Sequence, residues 1–360
     1  MRFPEFSGEW ETKSINDLAD VIGGGTPDTT VKSYWDGGIQ WFTPSEIGKN
    51  KFVDASLRTI TEDGLNNSSA KLLPPNTILL SSRATIGECS LSLRECATNQ
   101  GFQSLVSKKC NVDFLYYLIQ TKKKDLIRKS CGSTFLEISA NEVRKIQVSV
   151  PSDVEQQKIA GLLSLIDKRI ATQNKIIEKL QSLIKGIAAQ FTQSGTPNVR
   201  LCDCLECHSS TLQENCVSAT GSYPVYGATG LIGYTDSYAH NGESILIVKD
   251  GSGVGSLSYV NDHFSVIGTL NYLTPKEKYS SLYLYYALMA FNFTPYITGM
   301  AIPHIYFKDY GKAKLFCPSI EKQIRIASLL HNIEQKLVVE QNLIISLNAQ
   351  KSYLLRMLFI

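Results

Sequence analysis

Two stretches of this sequence are similar and lie 167 positions apart. Residues 151–163 read PSDVEQQKIAGLL and residues 318–330 read PSIEKQIRIASLL. The same offset relates TILLSSRATIG at 77–87 to SILIVKDGSGVG at 244–255, which carries one inserted residue. A repeat unit of about half the chain, with a globular part followed by a helical part, indicates a duplicated two-part module rather than a solenoid of short repeats.

The helical part of each copy carries a heptad pattern, in which seam positions recur at steps of four and three. In the first copy these positions are Ile159, Leu163, Ile166, Ile170, Gln173, Ile177, Leu180, Ile184, Ile187 and Phe191. In the second copy they are Ile326, Leu330, Ile333, Leu337, Glu340, Ile344, Leu347, Lys351, Leu354 and Leu358. One narrow apolar seam is typical of a coiled coil. Helices of about 40 residues would be roughly 60 Å long, so we expect their seams to be buried against each other.

The globular parts have the pattern of mixed α/β domains. TILLSS (77–82), SILIVK (244–249) and KIQVSV (145–150) are β-rich runs, and clusters of Gly, Pro, Asn and Ser surround them. One main helix is expected in each part, near 112–129 and near 280–291. We therefore predict an α+β fold class, with two similar mixed α/β domains and two long helices.

Length and composition are those of a globular protein with two or more domains. The chain has 360 residues, of which 43% are hydrophobic and 19% charged, so extensive disorder is not expected. Its formal net charge of +3 permits a polyanionic partner without requiring one. The stretch 279–307 lacks Asp, Glu, Lys and Arg, but Pro295 and Pro303 interrupt it, which favours a buried helix and a loop over a membrane span. With no apolar export segment at the start, we expect a cytoplasmic protein with no membrane partner.

The nine cysteines are expected to be reduced thiols. Cys202, Cys204, Cys207 and His208 are spaced like zinc ligands, but structural zinc sites usually combine two separated pairs of ligands. The interpretation we favour is a set of small side chains in a strand and the turn after it, and the sequence leaves metal binding open.

Enzymatic motifs are not found in the sequence. There is no GxxxxGK[ST], and no HExxH. The run DGSGVGS at 250–256 fails the dinucleotide pattern because Ser256 stands where the third glycine should be. All five histidines lie in the second half, so the two copies share no acid–base constellation. We predict a protein without catalytic residues, a metal or a cofactor of its own.

The loops instead offer polar and aromatic side chains of the types that contact DNA bases and phosphates. GGGTPDTTVKSYW (23–35), SSRATIG (81–87) and ATNQGFQ (97–103) belong to the first copy, and YPVYGATGLIGY (223–234) and VKDGSGVG (248–255) to the second. The candidate DNA contacts are Thr26, Lys32, Tyr34, Arg83, Asn99, Gln100, Tyr226 and Lys249. Arg83 is preferred because it follows a strand, whereas Asn99, Gln100 and Tyr226 could equally serve hydrogen bonds within the loops.

At full length the sequence resembles the specificity subunit of type I restriction–modification systems. The resemblance is carried by the paired helix openings at Pro151 and Pro318, by GGGTP and YWDGGIQWFTPSEI, by SSRATIG and TNQGF, and by YPVYGATGLIGY followed by ILIVKDGSGVGS. One departure stands at Lys322, where the family pattern prefers Glu.

The resemblance implies a non-catalytic DNA-recognition subunit. Two target-recognition domains, at 1–150 and 196–317, would each recognise one half of a bipartite target. Two helical spacers, at 151–195 and 318–360, would pair as an antiparallel coiled coil about a pseudo-two-fold axis. The implied partners are double-stranded DNA, two methyltransferase (modification) subunits and motor-nuclease (restriction) subunits, and S-adenosylmethionine, Mg²⁺ and ATP would belong to those subunits.

Two other functions fit the same fold. The chain could serve a fused methyltransferase–nuclease in place of separate subunits. Neighbouring open reading frames would identify that case. The chain could also be an interaction scaffold that binds protein or sugar and not DNA, and failure to bind any duplex at any salt concentration would favour this second alternative.

Overall fold

The computed structural model describes residues 2–132 and 136–359, and the chain divides into two compact units. The first unit contains the residues up to Gln173 together with those from Leu343 onward, and the second unit contains Asn174–Asn342. Each unit therefore includes one globular part and a portion of each long helix.

The first unit begins with β1 and closes its globular part with β10. Its elements in chain order are β1 (Glu11–Ser14), α1 (Ile15–Leu18), β2 (Ala19–Gly23), β3 (Trp35–Phe42), β4 (Phe52–Val53), β5 (Arg58–Ile60), α2 (Glu62–Asn66), β6 (Ile78–Leu80), β7 (Cys89–Ser92), β8 (Cys96–Thr98), β9 (Gln103–Ser107), α3 (Val112–Thr121), α4 (Lys123–Arg128), α5 (Ala140–Arg144), β10 (Gln147–Val150) and α6 (Asp153–Thr192). A five-stranded sheet has the order β2-β9-β6-β7-β4, a three-stranded sheet has the order β5-β3-β8, and β1 pairs with β10.

The second unit is organised around one larger sheet. After α6 come β11 (Val199–Arg200), α7 (Leu201–Cys204), β12 (Leu205–Ser209), β13 (Tyr223–Gly227), β14 (Gly230–Thr235), β15 (His240–Val248), β16 (Leu257–Val266), β17 (Leu270–Pro275), α8 (Ser281–Met289), α9 (Phe307–Tyr310), β18 (Lys314–Leu315) and α10 (Ile320–Leu358). Six strands pair in the order β12-β17-β15-β16-β13-β14, and β11 pairs with β18. The predicted mixed α/β class is confirmed.

One helix in each unit has a central apolar run that is fully buried, as expected for a helix in the core of a domain. Residues 114–119 of α3 and 283–288 of α8 are all buried. The apolar stretch at 279–307 is thus a core helix followed by a loop, as predicted. Within the described residues, no helix is both long enough and apolar enough to cross a membrane.

The repeat extends to single backbone pairings. In the first unit Glu137 forms bridges with Arg83 and with Cys131, and in the second unit His304 forms bridges with Asp250 and with Thr298. All three positions of the second set follow those of the first by 167. The two globular parts therefore repeat not only strands but also the short loop pairings between them.

The repeated phrase at the start of the long helices is explained by one buried glutamine in each copy. Gln156 is 3% exposed, its Nε2 donates to the Pro151 carbonyl (3.0 Å), and its Oε1 accepts from the backbone N–H of Asn111 (3.0 Å), the N-cap of α3. In the second unit the same contacts join Gln323 to Pro318 (2.8 Å) and to the N–H of Ser280 (3.0 Å), the N-cap of α8. Each glutamine thus ties the start of a long helix to the core helix of its globular part.

The heptad prediction is confirmed by burial, since every seam position of α6 and α10 is buried or partly buried. In the first unit the Asp167 carboxylate of α6 lies 2.7 Å from the Lys351 ammonium of α10. In the second unit Ala188 of α6 and Leu330 of α10 belong to one buried cluster. An early residue of one helix thus contacts a late residue of the other in the first unit, and the two helices share a core in the second, as antiparallel pairing requires.

Candidate nucleic-acid interface

The glycine-rich loop of the first unit packs directly on the loop that follows β8. The N–H of Gly25 donates to the Thr98 carbonyl (2.8 Å), and the Thr26 hydroxyl donates to Gln100 Oε1 (2.5 Å). A Cβ atom on Gly24 would lie 2.1 Å from the Asn99 carbonyl oxygen, so only glycine permits this approach. The structure therefore brings Thr26, Asn99 and Gln100 together.

Asn99 makes the loop hydrogen bond that was the alternative to DNA contact. Its Oδ1 accepts from the Gly101 N–H at 2.9 Å, and its own N–H donates to the Phe42 carbonyl at 3.1 Å. Gln100 is exposed beside it. The side chain of Asn99 thus shapes the loop, and Gln100 and Thr26 present the outward polar atoms.

Arg83 lies next to this loop but already has an acidic partner. The preceding residue, Ser82, donates its N–H to the Gly101 carbonyl at 2.8 Å. The Arg83 guanidinium pairs with Glu137 at 2.8 Å, and the two side chains are 43% and 38% exposed. An ion pair this exposed contributes little to stability, so the guanidinium can exchange a carboxylate for a phosphate or a base edge at low cost.

Lys32 and Tyr34 occupy a single helical turn at Lys32–Tyr34, beyond the glycine-rich loop. Lys32 is exposed, whereas Tyr34 is partly buried and its carbonyl accepts from the Thr61 N–H at 3.0 Å. Arg58, which the sequence analysis missed, is exposed on β5 and stacks its guanidinium on the Trp35 ring, 3.5 Å from the ring centre. Only the pairing of β3 with β5 brings these two side chains together.

Of the two candidates of the second unit, Tyr226 lies in a strand, so its predicted placement in a loop was wrong; the run 223–234 forms the paired strands β13 and β14. Tyr226 on β13 is partly buried, its ring packs edge-on against Phe264 (6.3 Å between centres), and burial raises its pKa. Lys249 directly follows β15, and its backbone is held by the Thr269 carbonyl and by the Ile305 N–H (3.0 and 2.9 Å). By the 167 offset, Lys249 occupies the place of Ser82, and Asp250 occupies the place of Arg83.

A row of histidine and tyrosine rings on the second unit's sheet was also missed. His208 stacks on Tyr272 (4.7 Å between centres), His240 lies 5.2 Å from Tyr272, and His208 Nε2 is 2.9 Å from the Thr274 hydroxyl. Burial, and then the neighbouring His208, lower the pKa of His240, so its ring is neutral at pH 7. Residues this far apart in sequence gave no local signal, because strand register alone assembles them.

The cysteine run at 202–207 is divided between two elements. Cys202 and Cys204 lie in the short helix α7 and only Cys207 lies in a strand, so their predicted placement in a strand and the turn after it was wrong. Cys204 is fully buried beside Cys317, and burial raises the pKa of Cys207 to about 11. Across residues 2–132 and 136–359, no cluster of three or more His, Cys, Asp or Glu side chains could hold a metal ion.

Replacing Arg83 with alanine is expected to weaken DNA binding by about 10- to 100-fold, since one base-edge or phosphate contact contributes about 1–3 kcal/mol. Replacing Glu137 with glutamine should leave affinity unchanged or higher, because it releases the guanidinium. Fluorescence anisotropy with a duplex carrying the target, using the assembled complex, measures both. Arg94→Ala, which removes another exposed ion pair of the first unit, is the matched control. Equal losses for Arg83→Ala and Glu137→Gln would mean that the pair only holds the loop.

Comparisons with known proteins identify the family of the chain. The family described as "Type I restriction modification DNA specificity domain" matches residues 7–182 and 198–349. The type I restriction enzyme MjaIX specificity subunit of Methanocaldococcus jannaschii is 39% identical over 180 residues, which are 48% of this chain and 42% of that protein. The EcoprrI specificity subunit of Escherichia coli is 25% identical over 354 residues, which are 91% and 88% of the two chains.

The fold is also that of a solved specificity subunit. The crystal structure of the type I restriction–modification S subunit from M. genitalium aligns with a TM-score of 0.66 and 17% identity, over 100% of this chain and 99% of that one. A structure described as showing complex assembly of a type I system aligns with a TM-score of 0.58 and 16% identity. Since the family match covers both copies of the repeat, the chain belongs to the type I restriction modification DNA specificity domain family.

Proposed function

We propose that this specificity subunit recognises a bipartite, asymmetric DNA sequence, with one half-site bound by each globular part. The two long helices would set the length of the unrecognised gap and would dock two modification subunits. Double-stranded DNA and motor-nuclease subunits complete the proposed set of partners.

The proposal rests on one observation: the buried scaffold repeats in both units, whereas exposed residues at equivalent positions differ. The buried contacts of Gln156 and Gln323 are equivalent. Two tyrosine hydroxyls also make equivalent contacts: Tyr117 donates to Asp167 (2.5 Å) and Tyr286 donates to Glu334 (2.7 Å). The exposed pair Arg83–Glu137 is replaced by Asp250 and His304 at equivalent positions. Two similar scaffolds that carry different side chains at the same position could recognise two different half-sites, because the identity of a side chain decides which base edge it binds.

The proposal gives this chain no chemical step. Its role is to bind and position DNA, and the transfer of a methyl group to a flipped adenine would occur on the modification subunits. S-adenosylmethionine, Mg²⁺ and ATP are accordingly assigned to the partners. The named relatives belong to type I systems, which favours separate modification subunits over a fused methyltransferase–nuclease.

Co-expression with the cognate modification subunit, followed by long-read mapping of methylated adenines, tests the proposal. We expect one target made of two short blocks with a constant gap, and no methylation at that target when this chain is omitted. A continuous or palindromic target, or methylation that does not depend on this chain, would contradict it. The scaffold alternative would instead give no duplex binding at any salt concentration.

A further inference from the structure

A pocket of about 640 Å³ opens in the second unit where the end of α6 meets the start of α10. Its floor is apolar and includes Phe191, Phe316, Ile326 and Leu329, the last of which is 45% exposed. Phe316 can lie against the chain after α6 only because residue 195 is glycine. A Cβ atom at this position would fall 2.4 Å from the Phe316 ring.

The rim of the pocket is cationic. Lys322 and Arg325 are exposed on the first turns of α10 and line the opening. Hydrogen bonds from the Glu321 backbone and from Ser319 lower the pKa of Glu321, and the charge of Arg325 adds a smaller effect in the same direction. Within the part of the chain that the structure describes, neither cation forms an ion pair within 4 Å.

The equivalent place in the first unit is filled by the chain's own N-terminal segment, residues 2–10. By the 167 offset, Lys322, Arg325 and Ile326 correspond to Glu155, Lys158 and Ile159. Phe3 and Trp10 of the segment pack against the buried cluster that contains Ile159.

Charged contacts hold that segment in place. The Arg2 guanidinium binds both carboxylate oxygens of Glu155, at 2.8 and 2.7 Å. Lys158 forms an ion pair with Glu5 and lies over the Phe3 ring, 4.9 Å from its centre. A short turned peptide with aromatic rings and charges of both signs therefore covers the start of a long helix that presents one acid and one base.

The second unit offers the same apolar floor with a different charge pattern. Lys322 replaces the acid at the Glu155 position, and Arg325 keeps the base at the Lys158 position. A second copy of the N-terminal segment would bring Arg2 against Lys322, two like charges at hydrogen-bonding distance. The occupant must therefore keep the aromatic residues and carry a carboxylate where that segment carries Arg2.

We propose that this pocket binds a short segment of a partner protein that combines large aromatic side chains with at least two carboxylates. The aromatic groups would fill the apolar floor and the carboxylates would pair with Lys322 and Arg325. The segment would thus cover the start of α10 in the second unit, as residues 2–10 cover the start of α6 in the first. The inference does not depend on DNA recognition, and its test requires no DNA.

Fluorescently labelled peptides and the full-length chain provide the test. The probe is a peptide with the sequence of residues 2–10 carrying Arg2→Glu, and the reference peptide keeps Arg2. We expect saturable binding of the probe, and binding of the reference peptide weaker by roughly tenfold, as loss of one charge-assisted hydrogen bond predicts.

Charge reversal on the protein should reverse this preference. Lys322→Glu should weaken binding of the probe roughly tenfold and strengthen binding of the reference peptide, since it restores the Arg2–carboxylate pair. Lys336→Glu, at another exposed position of α10, is the matched control and should change neither. Equal effects of Lys322→Glu and Lys336→Glu, or no saturable binding, would overturn the proposal. Self-association of the chain that disappears when residues 2–10 are deleted would also overturn it, because a second copy would then be the occupant.

Discussion

Removing one heptad from each long helix is expected to abolish methylation at the native target and to leave, at most, methylation of the same two blocks with a gap about three base pairs shorter. Seven residues of helix span about 10 Å, and successive base pairs are about 3.4 Å apart. The segments to delete are 174–180 of α6 and 338–344 of α10, which begin or end equally far along the chain from Asp167 and Lys351, the two residues joined by an ion pair. Both deletions preserve the alternation of steps by four and three along the seam.

A loss of methylation alone could also follow from misfolding, so the control must alter the same segments without changing their length. Glu178→Ala with Val339→Ala removes two exposed side chains from these segments, and native methylation should persist. Long-read mapping gives the sequence of the blocks and the gap in one measurement. Methylation with the original gap after the double deletion would show that the helices do not set the spacing.

Replacing Asp167 with alanine is expected to destabilise the first unit by about 2–3 kcal/mol, because it removes one partner from a largely buried charged network. The Asp167 side chain is 14% exposed and accepts from Lys351 at 2.7 Å and from the Tyr117 hydroxyl at 2.5 Å. Lys51, which is 9% exposed, donates to Tyr117 at 3.1 Å and pairs with Asp113 at 2.7 Å. Burial, and then the hydrogen bond to Asp167, raise the pKa of Tyr117, so its hydroxyl remains a donor across the physiological pH range.

Tryptophan fluorescence during urea unfolding measures this loss selectively, since Trp10, Trp35 and Trp41 all lie in the first unit. The midpoint should fall for Asp167→Ala and stay within error for Glu178→Ala, which removes an exposed acid from the same helix. A double-mutant cycle with Lys351→Ala isolates the α6–α10 contact. Additive effects of the two substitutions would contradict the assigned ion pair.

Much of the architecture could be predicted from local sequence patterns. The heptad seam needed no tertiary information, because a step of 3.5 residues puts its members on one face of any helix. The offset of 167 predicted a duplicated module, and the structure repeats even its isolated bridges at that offset. Loop placement of Thr26, Arg83, Asn99 and Gln100 followed in the same way from glycine and strand patterns, and their role in DNA binding stays a prediction.

Contacts between segments that are distant in sequence could not be predicted from these patterns. No local rule indicates that Arg83 pairs with Glu137, that Arg58 stacks on Trp35, or that His208 stacks on Tyr272. Each depends on strand register or loop packing, and a shift of one residue would turn the side chain to the other face. The open pocket at Lys322 is of the same kind, since its apolar floor joins Phe191 and Phe316 from separate parts of the chain.

The sequence by itself therefore determined the duplication, the two long helices with their heptad seams and the mixed α/β character of the globular parts, because these depend on periodicity and repetition along the chain. Only the tertiary structure decided which polar side chains lie together, which of them are already paired, and which helix start is left uncovered. The physical reason is that periodicity is a property of neighbouring residues, whereas a site is made by residues that only the packed chain brings within a few ångströms of one another.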